Sequence, residues 1–252
     1  MGKFRVIARM DVKNGNLIKT IQLEGLRKIG DPNEIAEKYY KDGIDEILFI
    51  DPVASLYNRN GLFHLIEKAC EKVFVPITIG GGIRCIEDIE LALKSGADKV
   101  AINTQGIKTP ELIKEASRIF GSQCIVISVE AKGKGPNKWE AYIDNGREET
   151  GKDVIEWVKE VEDLGAGEIL ITSVDKEGMK KGFDLELIKQ VSEAVMLPII
   201  AGGGAGNLDH IKAVVDTGYT NAISLASVLH YNLNTVSEVK AHLNKKKVMS
   251  RV

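Results

Sequence analysis

Apolar residues along this chain follow two alternating rhythms. Short continuous apolar runs, rich in isoleucine and valine, have the pattern of strands covered on both faces. Between them, apolar residues recur every three or four positions, as on one face of a helix. The runs predict strands at Arg5–Met10, Glu46–Ile50, Pro76–Ile79, Asp98–Asn103, Cys124–Val129, Glu168–Thr172, Pro198–Ala201 and Asn221–Leu225. The helical spacing predicts helices at about Pro32–Asp42, Leu62–Lys72, Ile86–Ser95, Pro110–Phe120, Lys152–Leu164, Asp184–Val195, Leu208–Thr217 and Asn234–Asn244.

Punctuation between these elements supports the same division. Asp31 precedes Pro32 as an N-cap before a first-turn proline, and Gly43 stops that helix. Thr109-Pro110 is expected to cap a helix in the same way. Asn14-Gly15 signals a hairpin just after the first strand. A long polar segment follows Glu130, with alternating residues at Trp139–Ile143 beside Asp144-Asn145-Gly146, and predicts a second small hairpin. Eight strands alternating with helices in 252 residues indicate the α/β class and a closed (β/α)8 TIM barrel. The open doubly wound sheet usually carries one glycine motif after its first strand. Here glycine turns follow the third and seventh strands.

Those turns belong to a repeat. Pro76 to Thr104 reads PITIGGGIRCIEDIELALKSGADKVAINT, and Pro198 to Ser227 reads PIIAGGGAGNLDHIKAVVDTGYTNAISLAS. Gly82 and Gly204 are 122 residues apart, as are Glu46 and Glu168 in GIDEILFID and GAGEILITS. Met10-Asp11-Val12-Lys13 matches Val129-Glu130-Ala131-Lys132 at an offset of 119. We therefore expect one domain, residues 1–252, made of two homologous half-barrels at about 1–121 and 122–252.

The repeat sets candidate chemistry in symmetric places. Asp11 and Glu130 end the first and fifth strands, opposite one another at the carboxyl face, where this fold places catalysis. They are the candidate general acid and base. Gly82, Asn103 and Thr104 form one candidate phosphate clamp, because glycine amides approach an anion without interference from a Cβ atom. Gly203, Gly204, Ala226 and Ser227 form the second. Thr172 lies opposite Asp51, and Lys19, in the loop after the first strand, adds a cation for a phosphate. Ser55, Asp175 and Glu177 have weaker claims, and the four histidines fall in no ligand spacing. Singly, each of these residues also reads as a turn former or a loop cap. Arg5, Glu46, Lys99 and Glu168 stand at strand beginnings, two cations and two anions that would meet in a ring at the barrel bottom. Such a ring reads either as a stability layer or as a gate.

Composition narrows the partners. A net charge of −2 gives no reason to expect nucleic acid or an anionic membrane. Cys70, Cys85 and Cys124 lack a C-x-x-C spacing, which fits reduced thiols in a cytoplasm and no structural zinc. No signal peptide or membrane-spanning apolar run is apparent, and the basic tail KKKVMSR reads as a solvated end. No metal and no cofactor is expected.

Together MDVKNG, TIGGGIR, GADKVAIN, FGSQCIV, GREETG, LGAGEILITS and AGGGAGN resemble the cyclase subunit of imidazole glycerol phosphate synthase, from about Arg5 to His242. The resemblance implies a lyase of histidine biosynthesis, the barrel half of a glutamine amidotransferase. It implies a heterodimer with a glutaminase, whose ammonia passes up the barrel axis to a bis-phosphorylated substrate. It also implies that Asp11 and Glu130 are the catalytic pair, that both clamps bind phosphate, and that Arg5, Glu46, Lys99 and Glu168 form the ammonia gate.

The chain departs from the family at its active face. Glu130 stands where the family has aspartate, which displaces the carboxyl group and predicts weak or absent cyclase turnover. Arg9-Met10 replace cysteine-leucine, Thr20 replaces glycine, Gly202 replaces serine in the second glycine run, and Glu177 replaces aspartate. This pattern is similar to barrel subunits of bacterial surface-sugar pathways, which channel ammonia to a separate enzyme for amidino-sugar synthesis. A barrel that binds a phosphorylated ligand without catalysis is the third reading.

Overall fold

The computed structural model describes residues 4–54 and 62–244, so Ser55 and the basic tail lie outside the described residues. Eight parallel staves close a barrel. They are β1 (Arg5–Lys13), β4 (Glu46–Ile50), β5 (Ile77–Gly80), β6 (Lys99–Ile102), β7 (Ile125–Gly135), β10 (Glu168–Ser173), β11 (Ile199–Gly202) and β12 (Ala222–Leu225). The ring is complete because β7 pairs with β10, setting Glu130 beside Thr172, and β12 pairs with β1. This is the (β/α)8 TIM barrel expected from the alternating rhythms.

Two staves run past the barrel rim. β1 continues through Asp11 to Lys13, then turns at Asn14 and Gly15, both with positive φ, into β2 (Asn16–Ile21) and β3 (Glu24–Gly30). β7 likewise continues into β8 (Lys138–Ile143) and β9 (Glu148–Asp153). Asp11 and Glu130 therefore lie within strands and not at their ends, as the sequence suggested. In each case the hairpin ladder extends the stave beyond the rim. For the same reason Lys19 lies in a strand, paired with Arg27 of β3, and not in an open loop.

The helices α1 (Pro32–Lys41), α2 (Phe63–Cys70), α3 (Ile86–Lys94), α4 (Thr104–Lys108), α5 (Glu111–Phe120), α6 (Val154–Asp163), α7 (Leu185–Ala194), α8 (Leu208–Asp216), α9 (Ser227–His230) and α10 (Val236–Asn244) connect and cover the staves. Asp31 caps α1 as expected, accepting from the Asn33 and Glu34 amides. Thr109 does not cap α5: Pro110 precedes that helix without a side-chain cap, and Thr109 Oγ1 accepts from Gln105 Nε2. Among the described residues no helix is long and apolar enough to cross a membrane.

Strand alternation separates two cores. Val6, Ala8 and Met10 of β1 face the helices and join the large outer core with Ile47, Phe49, Ile127, Val129 and Trp157. The opposite face of β1 carries Arg5, Ile7, Arg9 and Asp11 into the barrel. Ile7 packs there with Leu48, Ala101, Val126, Leu170, Ile200 and Ala222 in a separate apolar layer. Each isoleucine, leucine or valine side chain of this layer contributes about 1.5–3 kcal/mol when fully buried. This layer divides a charged bottom from a charged mouth.

Candidate active site

The mouth is built on the inward face of β1. Asp11 is 2 % exposed, and its Oδ1 accepts from Arg9 Nε at 2.9 Å. Nη1 of the same guanidinium donates to Thr172 Oγ1 at 3.3 Å, across the barrel on β10. Burial alone would lower the Arg9 pKa. Asp11 first, and then Glu177 and Glu130, more than offset it, so the guanidinium is held charged more firmly than usual. The Arg9 carbonyl accepts from His230 Nε2 at 2.9 Å, which leaves Nδ1 to accept from the Tyr39 hydroxyl at 2.8 Å. Burial holds His230 neutral, with its pKa lowered to about 4.

Glu130 enters the mouth from β7. Its Oε2 accepts from the Gly146 amide at 2.8 Å, in the turn between β8 and β9. Burial raises its pKa to about 7, although Arg9 and the Gly146 amide pull it down. A carboxyl group that carries a proton near neutral pH is suited to general acid–base work. Lys19, fully buried, is ion-paired with the equally enclosed Glu177. Its charge faces the mouth but is already matched, so a phosphate would compete with Glu177 for it.

The two glycine turns have the same backbone form. Gly81 and Gly82 have φ of 91° and 77°, and Gly203 and Gly204 have 84° and 111°. Only glycine adopts such angles readily. A Cβ at Gly81 would collide with the Asp51 carbonyl, and one at Gly204 with the Gly182 carbonyl. Beside the first turn a cleft of about 260 Å³ is lined by Gly82, Arg84, Asn103, Thr104, Lys108 and Glu130. Asn103 spends both side-chain N–H groups on the Ser128 and Tyr142 carbonyls. It therefore shapes the loop and does not itself offer its side-chain amide to an anion. Thr104 Oγ1 accepts from the Asp144 amide at 3.1 Å. At the second turn Gly203, Gly204 and Ser227 are buried and Ala226 is partly exposed.

At the opposite end Arg5 donates to Glu46 at 2.8 Å and to Glu168, while Lys99 lies 3.3 Å and 3.1 Å from the same two carboxylates. Burial opposes the charge on Arg5, but Glu168 and Glu46 outweigh it and raise its pKa. The four residues that the sequence placed at strand beginnings thus form one ring across the barrel bottom. Among the described residues no group of three or more His, Cys, Asp and Glu could hold a metal ion.

Sequence reasoning noted Arg9 as a departure but gave it no role. The signal was there: Arg5, Arg9 and Asp11 share one strand parity, so an inward Arg5 and Asp11 require an inward Arg9. It also missed Arg84, Lys108 and Asp144, whose positions depend on loop paths that the spacing leaves open.

A family model described as histidine biosynthesis protein matches residues 5–235 of this chain. The imidazole glycerol phosphate synthase subunit HisF of Legionella pneumophila is 56 % identical over 212 residues, which are 84 % of this chain and 100 % of that protein.

Proposed function

Because the chain belongs to the histidine biosynthesis protein family and stands there with the HisF subunit of imidazole glycerol phosphate synthase, we propose that it is the cyclase half of a cytoplasmic glutamine amidotransferase. It takes ammonia from a partner glutaminase at the bottom of the barrel. It delivers that ammonia along the axis to a substrate held by a phosphate at each end.

One observation carries this reading: the Arg5–Glu46–Lys99–Glu168 ring and the Asp11–Glu130 pair lie in the same lumen, separated by one apolar layer. An apolar passage suits neutral ammonia and disfavours ammonium. Gly82, Asn103 and Thr104 cradle one phosphate, with Gly203, Gly204, Ala226 and Ser227 at the other and Lys19 and Thr172 beside the reacting middle. Glu130 and Asp11 move the protons. The matching turns support one domain of two homologous half-barrels, about 1–121 and 122–252.

The test is turnover of the bis-phosphorylated substrate with ammonium salts, and with glutamine plus the cognate glutaminase. Both should proceed, and this chain should stimulate glutamine hydrolysis. The extra methylene of Glu130 makes turnover slow, and misplacement of about 1 Å costs on the order of a hundredfold. Glu130→Asp should recover part of it. Stimulated hydrolysis without cyclase turnover in either protein would favour ammonia delivery to a separate sugar-modifying enzyme. Failure of both would leave a phosphate-binding barrel.

A further inference from the structure

Arg9 is a buried cation of the mouth that takes no direct part in the proposed chemistry. Its guanidinium lies across the lumen just above the apolar layer, bonded to Asp11 on β1 and to Thr172 on β10. The charged or titratable groups around it are Asp11, Glu177 with its partner Lys19, Glu130, and His230 on its carbonyl. Asp144 adds to the negative field at Glu130. Room for the crossing comes from Gly202. A Cβ there would stand 3.0 Å from Thr172 Oγ1, the hydroxyl that receives Arg9.

We propose that Arg9 is a positioning residue: by holding the Asp11 carboxylate in an ion pair across the barrel axis, it leaves Glu130 as the proton donor of the pair. A carboxylate tied to guanidinium has no proton to give, because arginine does not release one in a protein. Asp11 can only accept. Among the described residues Glu130 has no such partner; it is enclosed and accepts from the Gly146 amide, a setting in which a carboxyl group keeps its proton. In turnover the ammonia nitrogen bonds to a carbonyl carbon of the substrate, and as the C–O bond of that adduct breaks the Glu130 O–H gives its proton to the departing oxygen, which leaves as water. Asp11 takes one from the nitrogen that has attacked. Solvent then moves a proton from Asp11 to Glu130, and the starting state returns with nothing gained or lost. Arg9 also restrains Glu130, since its positive charge favours the ionised carboxylate and so keeps the proton transferable.

This assignment rests on the cyclase reading, but its test does not depend on turnover. Carboxyl-carbon NMR of the free protein follows Glu130 directly. Its midpoint should lie near 7 in the unmodified chain. In Arg9→Met it should rise by about one pH unit or more, because a nearby cation has been removed. Arg9→Lys should keep it close to the original value. If Arg9→Met does not fold, Arg9→Met/Asp11→Asn compared with Asp11→Asn alone measures the same influence on Glu130. A midpoint at the ordinary glutamate value, or one that does not move when the Arg9 charge is removed, overturns the proposal. At fixed free ammonia, kcat should fall as pH rises through the Glu130 midpoint. That limb should move upward in Arg9→Met and stay in place in Arg9→Lys. A limb that stays in place in Arg9→Met also overturns it. A protein with no cyclase turnover but the expected NMR shifts would remove the cyclase reading and leave the electrostatic role of Arg9 standing.

Discussion

Phe74 and Met196 hold the same place in the two halves of the barrel, each two residues before the proline that leads into a stave. They are the most exposed large apolar side chains among the described residues, at 73 % and 94 %. Both lie on the amino-terminal face that carries the Arg5 ring. Phe74 rests edge-on against Tyr40, with ring centroids 5.8 Å apart. On the proposed function this is the face the glutaminase would cover, and exposed apolar side chains there are its candidate anchors. Phe74→Ser and Met196→Ser are each expected to weaken glutaminase binding by about tenfold, an interface contribution of about 1.4 kcal/mol. Titration calorimetry measures the affinity, and unchanged affinity in the double variant would place the partner elsewhere. Neither residue is part of the core, so the fold should persist.

The ring itself has a stability cost and a functional cost when broken. Removing Lys99 leaves Glu46 and Glu168 sharing Arg5 alone, with side chains only 5 % and 8 % exposed. Because Arg5 still bonds both carboxylates, the loss is about 1.5–3 kcal/mol, that of a hydrogen bond to a charged group. Lys99→Met should therefore lower the denaturant midpoint, and the rate driven by glutamine should fall relative to the rate driven by ammonium salts. Equal losses with both nitrogen sources would reduce the ring to a stability layer.

Much of this was legible in the sequence for simple reasons. The apolar rhythms fix the staves, because a stave must be apolar on its helix-facing side and where its inner side meets the lumen's apolar layer. Arg5, Glu46, Lys99 and Glu168 could be placed in a ring because strand parity and chain order suffice. Two features were hidden. Asp11 and Glu130 appeared to end their strands, since each carboxylate interrupts the apolar run of its stave, while the ladder beyond it, with buried Val12, Leu17, Ala131 and Ala141, depends on pairing with a neighbouring hairpin strand. The pairing of Lys19 with Glu177 spans 158 residues and depends on how the β2–β3 hairpin folds over the mouth. No local pattern encodes such a contact.

Glu130 and His230 should impose opposite pH dependences on stability. The folded Glu130 pKa, about 7, is raised above its ordinary 4.5. Its contribution is fully present below 4.5 and is lost as pH rises to 7, by about 3 kcal/mol. The folded His230 pKa, about 4, is depressed from 6.5. Its contribution is present above 6.5 and is lost as pH falls toward 4, again by about 3 kcal/mol. Between 4.5 and 6.5 the two slopes oppose each other. Glu130→Gln should make stability fall on acidification, and His230→Gln should make it fall as pH rises. Urea unfolding at several pH values measures both slopes, and parallel profiles for the two variants would contradict this account.

Gly202 and Arg9 should behave as one unit. Both depart from the residues that the resembling family carries, serine and cysteine, and Thr172 joins them. A Cβ at 202 would press on Thr172 Oγ1 from 3.0 Å, while Arg9 approaches the same oxygen to 3.3 Å. The crowding can be relieved if Thr172 rotates, but rotation gives up the bond from Arg9. Gly202→Ser alone should therefore destabilise the protein by about 1 kcal/mol, the worth of a typical buried hydrogen bond. Arg9→Cys alone leaves Asp11 buried without its cation and should cost about 3 kcal/mol. The cost of Gly202→Ser should largely disappear once Arg9 is cysteine, because Thr172 is then free to turn. A double-mutant cycle should thus yield a coupling of about 1 kcal/mol, within the range for residues that share a partner. Strict additivity would show that Gly202 does not make room for the Arg9 crossing, and that the two departures are independent.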